Sequence, residues 1–256
     1  LKSERYNLKR AHLCEDRVEM ENELVKLNLP TNFKLVITGG GRVAGGAVEV
    51  LMKTNIIKVS PDDFLNKTFD YPVYTQLEVE NYVSRNDNKV FDNTSFFKDP
   101  SGHSSNFMPY AKIADLYVAC HYWDNRSPYI FSREDARDPN WNISVVADVS
   151  CDIDGPVAST LRPSTIADPF YGYNTDNEQE VDFMSKDSIG VMAVDNLPCE
   201  LPKDASTEFG KMFIEHVLEP LIGNDPENVI FRASETINGK LTPHFDYLQD
   251  YLEGKD

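Results

Sequence analysis

A glycine-rich turn between an apolar run and a helical pattern limits the fold of this chain more than any other feature. The apolar residues Leu35-Val36-Ile37 lead into residues 38–46, which read Thr-Gly-Gly-Gly-Arg-Val-Ala-Gly-Gly. From Val43 onward, apolar residues recur at spacings of three and four, which predicts a helix. A second short apolar run, residues 56–59, predicts another strand. Strand, glycine turn, helix and strand together indicate a βαβ unit of a parallel sheet.

The glycine turn also matches the pattern G-x-G-x-x-A, with glycines at Gly39 and Gly41 and the small residue Ala44 at its end. In such turns the first glycine permits a tight bend, the second lets the backbone approach a pyrophosphate, and the third lets helix pack on strand. Amides at the helix start favour an anion, and Arg42 could add a positive charge. A glycine turn without a ligand is the alternative, but its place between strand and helix favours a dinucleotide cofactor.

The cofactor could be NAD or NADP, because the acidic residue expected about twenty positions after the glycine turn is not clearly present. Ser60 stands at the end of the second predicted strand, and Asp62 and Asp63 follow it. A serine there could accept a 2′-phosphate and favour NADP, whereas an aspartate could hold the ribose of NAD. The sequence leaves this choice open.

The remaining pattern predicts an α/β fold, a doubly wound Rossmann-like parallel sheet with a flanking linker helix and a C-terminal tail. Apolar runs predict further strands in residues 116–120, 143–149 and 189–194. Residues 203–219 predict a helix, and the polar, turn-rich residues 80–109 predict a long loop or an insertion. The expected parts are a linker helix in residues 1–29, a nucleotide-binding domain in residues 30–225 and a tail in residues 226–256.

Charge and composition narrow the partners and the compartment. The formal net charge is −17, which argues against a nucleic-acid partner because phosphate contacts need clustered Lys and Arg. No stretch approaches the roughly eighteen apolar residues of a membrane span, and no signal-peptide pattern opens the chain. The four cysteines lie far apart and form no CxxC pair, so we expect reduced thiols, no metal site and a cytoplasmic protein.

Three segments resemble one known family in sequence and in order. They are residues 41–47 (GRVAGGA), 148–152 (DVSCD) and 194–198 (VDNLP). This set is similar to the lysine-forming saccharopine dehydrogenases and to the lysine–ketoglutarate reductase half of the bifunctional lysine-degrading enzyme. Residues 122–123, 132–137 and 201–206 strengthen the likeness, which covers nearly the whole chain. The alanine dehydrogenases share the wider fold, but their counterpart of residues 195–198 is less similar.

The resemblance implies an NAD(P)-dependent oxidoreductase that acts on the CH–NH group of donors and interconverts saccharopine with lysine and 2-oxoglutarate. In that reaction an imine accepts hydride from the nicotinamide. Together with the glycine pattern, the resemblance gives as cofactor-binding residues Gly39, Gly41, Arg42, Val43, Ser60, Tyr122, Val149, Val194, Asp195, Asn196 and Leu197. The expected substrate residues are Ser150, Cys151 and Asp152, with Asp152 as the catalytic candidate.

The resemblance also implies a partner domain. In this family an essential lysine and histidine belong to an N-terminal catalytic domain, which we expect in the same parent protein rather than in this chain. The chain alone is then not expected to complete the reaction on its small-molecule amino acid and 2-oxo acid substrates. A homo-oligomer is compatible with the sequence. The alternatives are an alanine-dehydrogenase-like enzyme and a nucleotide-binding module without catalysis.

Several polar side chains have a structural interpretation beside the functional one. Asp148 lies in an otherwise apolar run, where a carboxylate needs hydrogen-bond partners, so a structural role is favoured. His121 follows a predicted buried strand and is either a core residue or a cleft residue. Three arginines could each meet a substrate carboxylate, although surface ion pairs are favoured for Arg126, Arg133 and Arg162.

Overall fold

The computed structural model describes residues 6–255, which form two compact units, one up to Leu201 and one from Pro202. Residues 1–5 of the expected linker and residue 256 of the expected tail lie outside the described residues. The division at Pro202 falls within residues 30–225, which were expected to form one domain. Among residues 6–255, every helix falls short of the length and apolarity needed to cross a bilayer.

The secondary structure consists of short strands and mostly short helices. The strands are β1 (Lys34–Thr38), β2 (Ile57–Lys58), β3 (Val73–Leu77), β4 (Val83–Arg85), β5 (His103–Ser105), β6 (Leu116–Ala119), β7 (Val145–Asp148), β8 (Phe170–Asn174), β9 (Glu180–Val181), β10 (Ser188–Met192), β11 (Thr236–Ile237) and β12 (Lys240–Leu241). The helices are α1 (Arg17–Leu24), α2 (Arg42–Leu51), α3 (Pro61–Asn66), α4 (Val79–Tyr82), α5 (Asn93–Lys98), α6 (Met108–Ala111), α7 (Pro202–Phe213), α8 (Glu219–Ile222), α9 (Val229–Ala233) and α10 (Gln249–Leu252).

The first unit is built on a sheet that has eight strands within the described residues, in the order β2-β3-β1-β6-β7-β10-β8-β9. The pairings from β2 to β10 are parallel, and β8 and β9 add an antiparallel edge. The predicted α/β fold with a mostly parallel sheet is therefore confirmed. An antiparallel edge on a parallel sheet is common, but the apolar-run analysis did not predict β8 and β9.

The sheet order changes the interpretation of the first βαβ unit. Strand β2 lies in the same sheet as β1 and parallel to it, but β3 separates the two. The register pairs Thr38 with Leu77 of β3 and with Ala119 of β6. On the β2 side of the sheet, the strand next to β1 is therefore β3, which ends at Leu77. Ser60 instead follows β2, the edge strand.

Residues of β1 reach both faces of the sheet, because side chains alternate along a strand. Leu35 and Ile37 pack in a cluster that contains Ala44 of α2. Val36 packs in the larger cluster, which contains Phe64 of α3 together with residues of α6. Helices therefore cover both faces of the sheet, as the doubly wound prediction requires.

Of the two alternatives for residues 80–109, a long loop or an insertion, the structure contradicts the loop. This segment includes part of α4, the antiparallel pair β4 and β5, and α5. Phe96 and Phe107 are buried, and the His103 ring lies 5.0 Å from the Phe96 ring between centroids. A few aromatic side chains thus provide a core that the polar average of the segment concealed.

The second unit begins with α7, so the helix expected from residue 203 is present. The α-helix ends at Phe213, and a π-helical turn at Ile214–Leu218 leads into α8, which has Pro220 in its first turn. The hairpin β11–β12 turns at Asn238 and Gly239, both with positive φ. Segments α9 and α10 flank this hairpin along the chain.

Candidate functional site

A cleft of about 660 Å³ opens where β1, β3 and β6 end. Its walls come from the segments that follow these strands, residues 39–43, 78–82 and 120–122, with residues 149–150 after β7. In this sheet β2 and β3 lie on one side of β1, and β6 and the later strands lie on the other side. Such a reversal at the carboxyl ends of parallel strands is where open α/β sheets bind ligands.

Gly39 starts the tight turn out of β1. Its φ is +111°, and a Cβ atom there would lie 2.5 Å from the carbonyl oxygen of Cys120. Its amide donates to the carbonyl of Leu77 over 2.9 Å, and its own carbonyl accepts from Gln76 Nε2 over 3.0 Å. This position accepts only glycine without strain. The supporting role of Gln76 was not predicted, because β3 itself was missed.

Gly41 caps the N-terminus of α2 without a side chain. Gly41 has no side chain to accept a hydrogen bond from the first turn, and a Cβ atom on Gly41 would meet nothing within 4 Å. The first amides of a helix have no partner within it, and the dipole of this ten-residue helix favours an anion at this end. Arg42 stands beside these amides and lines the cleft. Open amides, a missing side chain and a nearby cation fit a pyrophosphate.

Glu78 follows β3 and faces the glycine turn. Its side chain is exposed and lines the cleft. A Cβ atom placed on Gly40 would lie 2.0 Å from Glu78 Oε2, so the carboxylate occupies the space that a side chain at Gly40 would need. The Glu78 amide donates to Asn81 Oδ1 over 2.9 Å, which holds the start of α4. Sequence reasoning missed Glu78, although the β-prone run Val73–Leu77 before it was a usable signal.

His121 lies at the floor of the cleft in a hydrogen-bonded group. Thr38 Oγ1 lies 2.7 Å from Tyr117 Oη and 2.9 Å from His121 Nδ1. Burial lowers the pKa of His121 to about 4 and raises the pKa of Tyr117, so both side chains are neutral near pH 7. His121 Nε2 has no hydrogen-bond partner within residues 6–255. His121 is thus both a buried residue and a cleft residue.

The cleft brings together part of the predicted site. The predicted cofactor or substrate residues that line it are Gly39, Gly41, Arg42, Val43, Tyr122, Val149 and Ser150. Ser60 does not line it; the Ser60 hydroxyl caps α3 by accepting from the Asp63 amide over 3.1 Å.

The residues after β10 lie at a second cavity. Val194 and Leu197 line an apolar cavity of about 350 Å³, beside the linker residue His12. Asp195 and Asn196 between them are exposed and line neither this cavity nor the main cleft. Because β10 runs parallel to β7, these four residues lie at the same edge of the sheet as the cleft.

Polar groups at the end of β7 and just after it form hydrogen bonds within the protein. Asp148 is buried and accepts from Thr160 Oγ1 over 2.6 Å and from the Cys151 amide over 3.0 Å. Asp148 thus has the hydrogen-bond partners that a structural role requires, while burial raises its pKa. Cys151 has positive φ, and its thiol donates to the Ala193 carbonyl. Burial raises the pKa of Cys151 to about 11, so this sulfur is a thiol near pH 7.

Asp152 lies in a tight turn next to that segment. The Gly155 amide donates to the Asp152 carbonyl over 3.1 Å, and a Cβ atom on Gly155 would lie 2.6 Å from Asp152 Cβ. Burial raises the pKa of the Asp152 carboxyl. Asp152 is not among the residues that line the cleft.

The remaining candidates have structural partners. The three arginines considered for substrate carboxylates form ion pairs, Arg126 with Asp124, Arg133 with Glu178 and Arg162 with Glu180. The four cysteines are free thiols. In the part of the chain that the structure describes, no group of three or more His, Cys, Asp or Glu residues is arranged to hold a metal ion.

The chain is similar in sequence to alpha-aminoadipic semialdehyde synthases. It is 30% identical over 254 residues to the mitochondrial protein of Rattus norvegicus, and this match covers 86% of this chain and 27% of the relative. The mitochondrial protein of Mus musculus is 28% identical over 251 residues, and the match covers 86% of this chain and 27% of the relative. The protein of Arabidopsis thaliana is 26% identical over 260 residues, and the match covers 90% of this chain and 24% of the relative.

The chain spans about a quarter of the length of these curated relatives. No family model matches the chain. The similarity covers most of the chain and supports the family resemblance found in its motifs.

Proposed function

We propose that this chain supplies the nucleotide-binding part of an NAD(P)-dependent oxidoreductase of the saccharopine dehydrogenase type. The parent protein would interconvert saccharopine with lysine and 2-oxoglutarate, with its lysine and histidine contributed by an N-terminal catalytic domain. The observation that carries this proposal is the uncapped N-terminus of α2 at Gly41, which opens on the cleft where β1, β3 and β6 end. Similarity to alpha-aminoadipic semialdehyde synthases supports the choice of reaction.

In this proposal the chain binds and orients the cofactor, which supplies or accepts the hydride. The amides of residues 41–43 and the Arg42 guanidinium would hold the pyrophosphate. Tyr122, Val149 and Ser150 line the cleft on the β6 and β7 side and would face the nicotinamide half. These roles need positioning rather than proton transfer, in keeping with the neutral His121 at the cleft floor.

The substrate side is proposed for the segments that follow β7 and β10. Cys151, Asp152 and residues 194–197 lie at the carboxyl ends of these neighbouring parallel strands. Asp152 would be the proton-transfer candidate on this chain, because burial raises its pKa toward the range useful for general acid–base catalysis.

Nucleotide binding and turnover together test the proposal. NADH and NADPH are titrated into the chain and followed by nucleotide fluorescence, with saturable binding of at least one expected. The parent protein should then oxidise the reduced nucleotide only when lysine and 2-oxoglutarate are both present.

Each alternative gives a different result in the same experiments. Oxidation of alanine in place of saccharopine would favour the alanine-dehydrogenase-like enzyme. Nucleotide binding without turnover by the parent protein on any of these substrates would favour a non-catalytic module. Failure of the chain to bind either nucleotide would contradict the proposal.

A further inference from the structure

An acidic residue directly follows β3, which is one of the two strands beside β1. In dinucleotide-binding sheets an acidic side chain on the strand that follows the glycine turn hydrogen-bonds the ribose 2′-hydroxyl, about twenty residues along the chain. Here β2 and α3 intervene in sequence, so counting residues leads to Ser60, while the strand that pairs with β1 on the same side of the sheet as β2 is β3. Thr38 at the end of β1 pairs with Leu77, and Glu78 follows directly.

The Glu78 carboxylate lies against the turn that would hold the pyrophosphate. A Cβ atom on Gly40 would come within 2.0 Å of Oε2 and 2.4 Å of Oε1. The absence of a side chain at Gly40 is therefore what leaves room for this carboxylate. The Glu78 side chain also accepts from the Asn81 amide in the capping box of α4. The adenosine ribose is joined directly to the pyrophosphate, and a carboxylate has about four acceptor sites, so Glu78 can accept from the ribose hydroxyls as well.

The charges around the cleft oppose an added phosphate. Of the described residues that line it, Glu78 and Glu80 carry carboxylates and Arg42 carries a positive charge. Arg42 is the first residue of α2 and stands at the proposed pyrophosphate position. A phosphate monoester carries a charge of about −1.5 to −2 near pH 7. On the ribose of NADP it would face the Glu78 carboxylate, and among the described residues that line the cleft Arg42 is the only Lys or Arg.

We propose that Glu78 is the residue that selects NAD(H) over NADP(H), an inference that rests on the proposed function. Its carboxylate accepts hydrogen bonds from the ribose hydroxyls of NAD(H) and repels the 2′-phosphate of NADP(H). Phe97 of α5, with a largely exposed ring, lines the same cleft and offers its face to the adenine that both nucleotides share. Ser60 then has no part in nucleotide choice.

The test is the ratio of dissociation constants for NADH and NADPH, measured by titration calorimetry on the full chain. The wild-type chain should bind NADH at least about 10-fold more tightly than NADPH. Glu78→Gln should weaken NADH binding by roughly 10- to 100-fold, the value of a charge-assisted hydrogen-bond pair, and bring the ratio near one. Glu80→Gln is the matched control and should leave most of the ratio in place.

Two further variants separate nucleotide choice from general damage to the cleft. Gly40→Ala keeps Glu78 but displaces its carboxylate, so it should reproduce the loss of preference. Phe97→Ala should weaken both nucleotides by the same factor and leave the ratio unchanged. A wild-type chain that binds NADPH as tightly as NADH, or a Glu78→Gln chain that keeps the preference, would overturn this inference alone. Absence of binding for both nucleotides would overturn the proposed function with it.

Discussion

The ends of β1 and β7 lie at the same edge of the parallel sheet, yet the chain leaves them in opposite ways. After β1 three consecutive glycines lead into a helix whose first turn has no side-chain cap. After β7 the side chain of Asp148, the amide of Cys151 and the thiol of Cys151 all form hydrogen bonds within the protein. One end presents donors to the cleft, and the other satisfies its own polar groups.

This difference shows how one fold position can serve as either a binding site or a support. Backbone amides bind an anion only where no protein group already accepts their hydrogen bonds. The β7 end instead holds the floor of the cleft, since the Ser150 hydroxyl donates to the carbonyl of His121 over 2.9 Å. Substitutions at the β1 end should therefore divide into those that damage folding and those that damage binding, whereas substitution of the buried Asp148 at the β7 end should affect folding.

The largest expected effect is that of Gly39→Ala at the β1 end. The new Cβ atom would lie 2.5 Å from a backbone oxygen in a residue with φ of +111°. Strain and overpacking should together lower the free energy of unfolding by about 2–5 kcal/mol. Urea unfolding measures this loss, with Gly46→Ala as the control because its Cβ would meet nothing within 4 Å. Equal midpoints for Gly39→Ala and wild type would show that the turn is not tightly packed.

Asp148→Ala should have the next largest effect, at the β7 end. It leaves the Thr160 hydroxyl and the Cys151 amide without their acceptor, which costs roughly 1–3 kcal/mol for the buried hydroxyl and less for the part-buried amide. Asp148→Asn should cost much less, because the amide oxygen can still accept from the Cys151 amide while the Thr160 hydroxyl rotates to accept. Thermal unfolding compares the two variants. Similar large losses for both would mean that the charge itself is needed.

Gly41→Asp should separate binding from stability at the β1 end. An aspartate at this position is a favourable N-cap for α2, so the free energy of unfolding should stay constant or rise by roughly a few tenths of a kcal/mol. The same carboxylate would occupy the proposed pyrophosphate position, so we expect nucleotide binding to weaken by about 100-fold, or roughly 2.7 kcal/mol. Gly41→Ala is the control for the added Cβ atom. Unchanged binding in Gly41→Asp would remove this turn from the site.

The sequence predicts the β1 end of the sheet better than it predicts the β7 end. Glycines at Gly39 and Gly41 are local signals in the sequence, and both residues line the cleft. The neighbour of β1 could not be read from spacing, because sheet order depends on which strands pair far along the chain. The hydrogen bonds that close the β7 end depend on Thr160, twelve residues beyond Asp148. Nothing in the local pattern around Asp148 specifies that partner.

The sequence left open whether His121 is a core residue or a cleft residue. The pH dependence of stability tests the burial of its imidazole. Burial lowers its pKa from 6.5 to about 4, so between these values the unfolded chain binds a proton that the folded chain does not. Stability from this group is complete above pH 6.5 and is lost as the pH falls toward 4. From pH 8 to pH 5 the loss should be about 2 kcal/mol. His121→Asn, which keeps an amide near Thr38, should unfold with a shallower dependence on pH; an unchanged dependence would place the titrating group elsewhere.

The smallest expected effect is that of Ser60→Ala, which sharpens the comparison at the edge of the sheet. The Ser60 hydroxyl accepts from the Asp63 amide at the start of α3, a helix of six residues. Loss of that cap should lower the free energy of unfolding by about 0.5–2 kcal/mol. Because β3 separates β2 from β1, the dissociation constants for NADH and NADPH should not change. A selective change in NADPH binding would instead show that the cofactor reaches past Glu78 to the edge strand, and that Ser60 rather than the neighbour of β1 recognises its ribose.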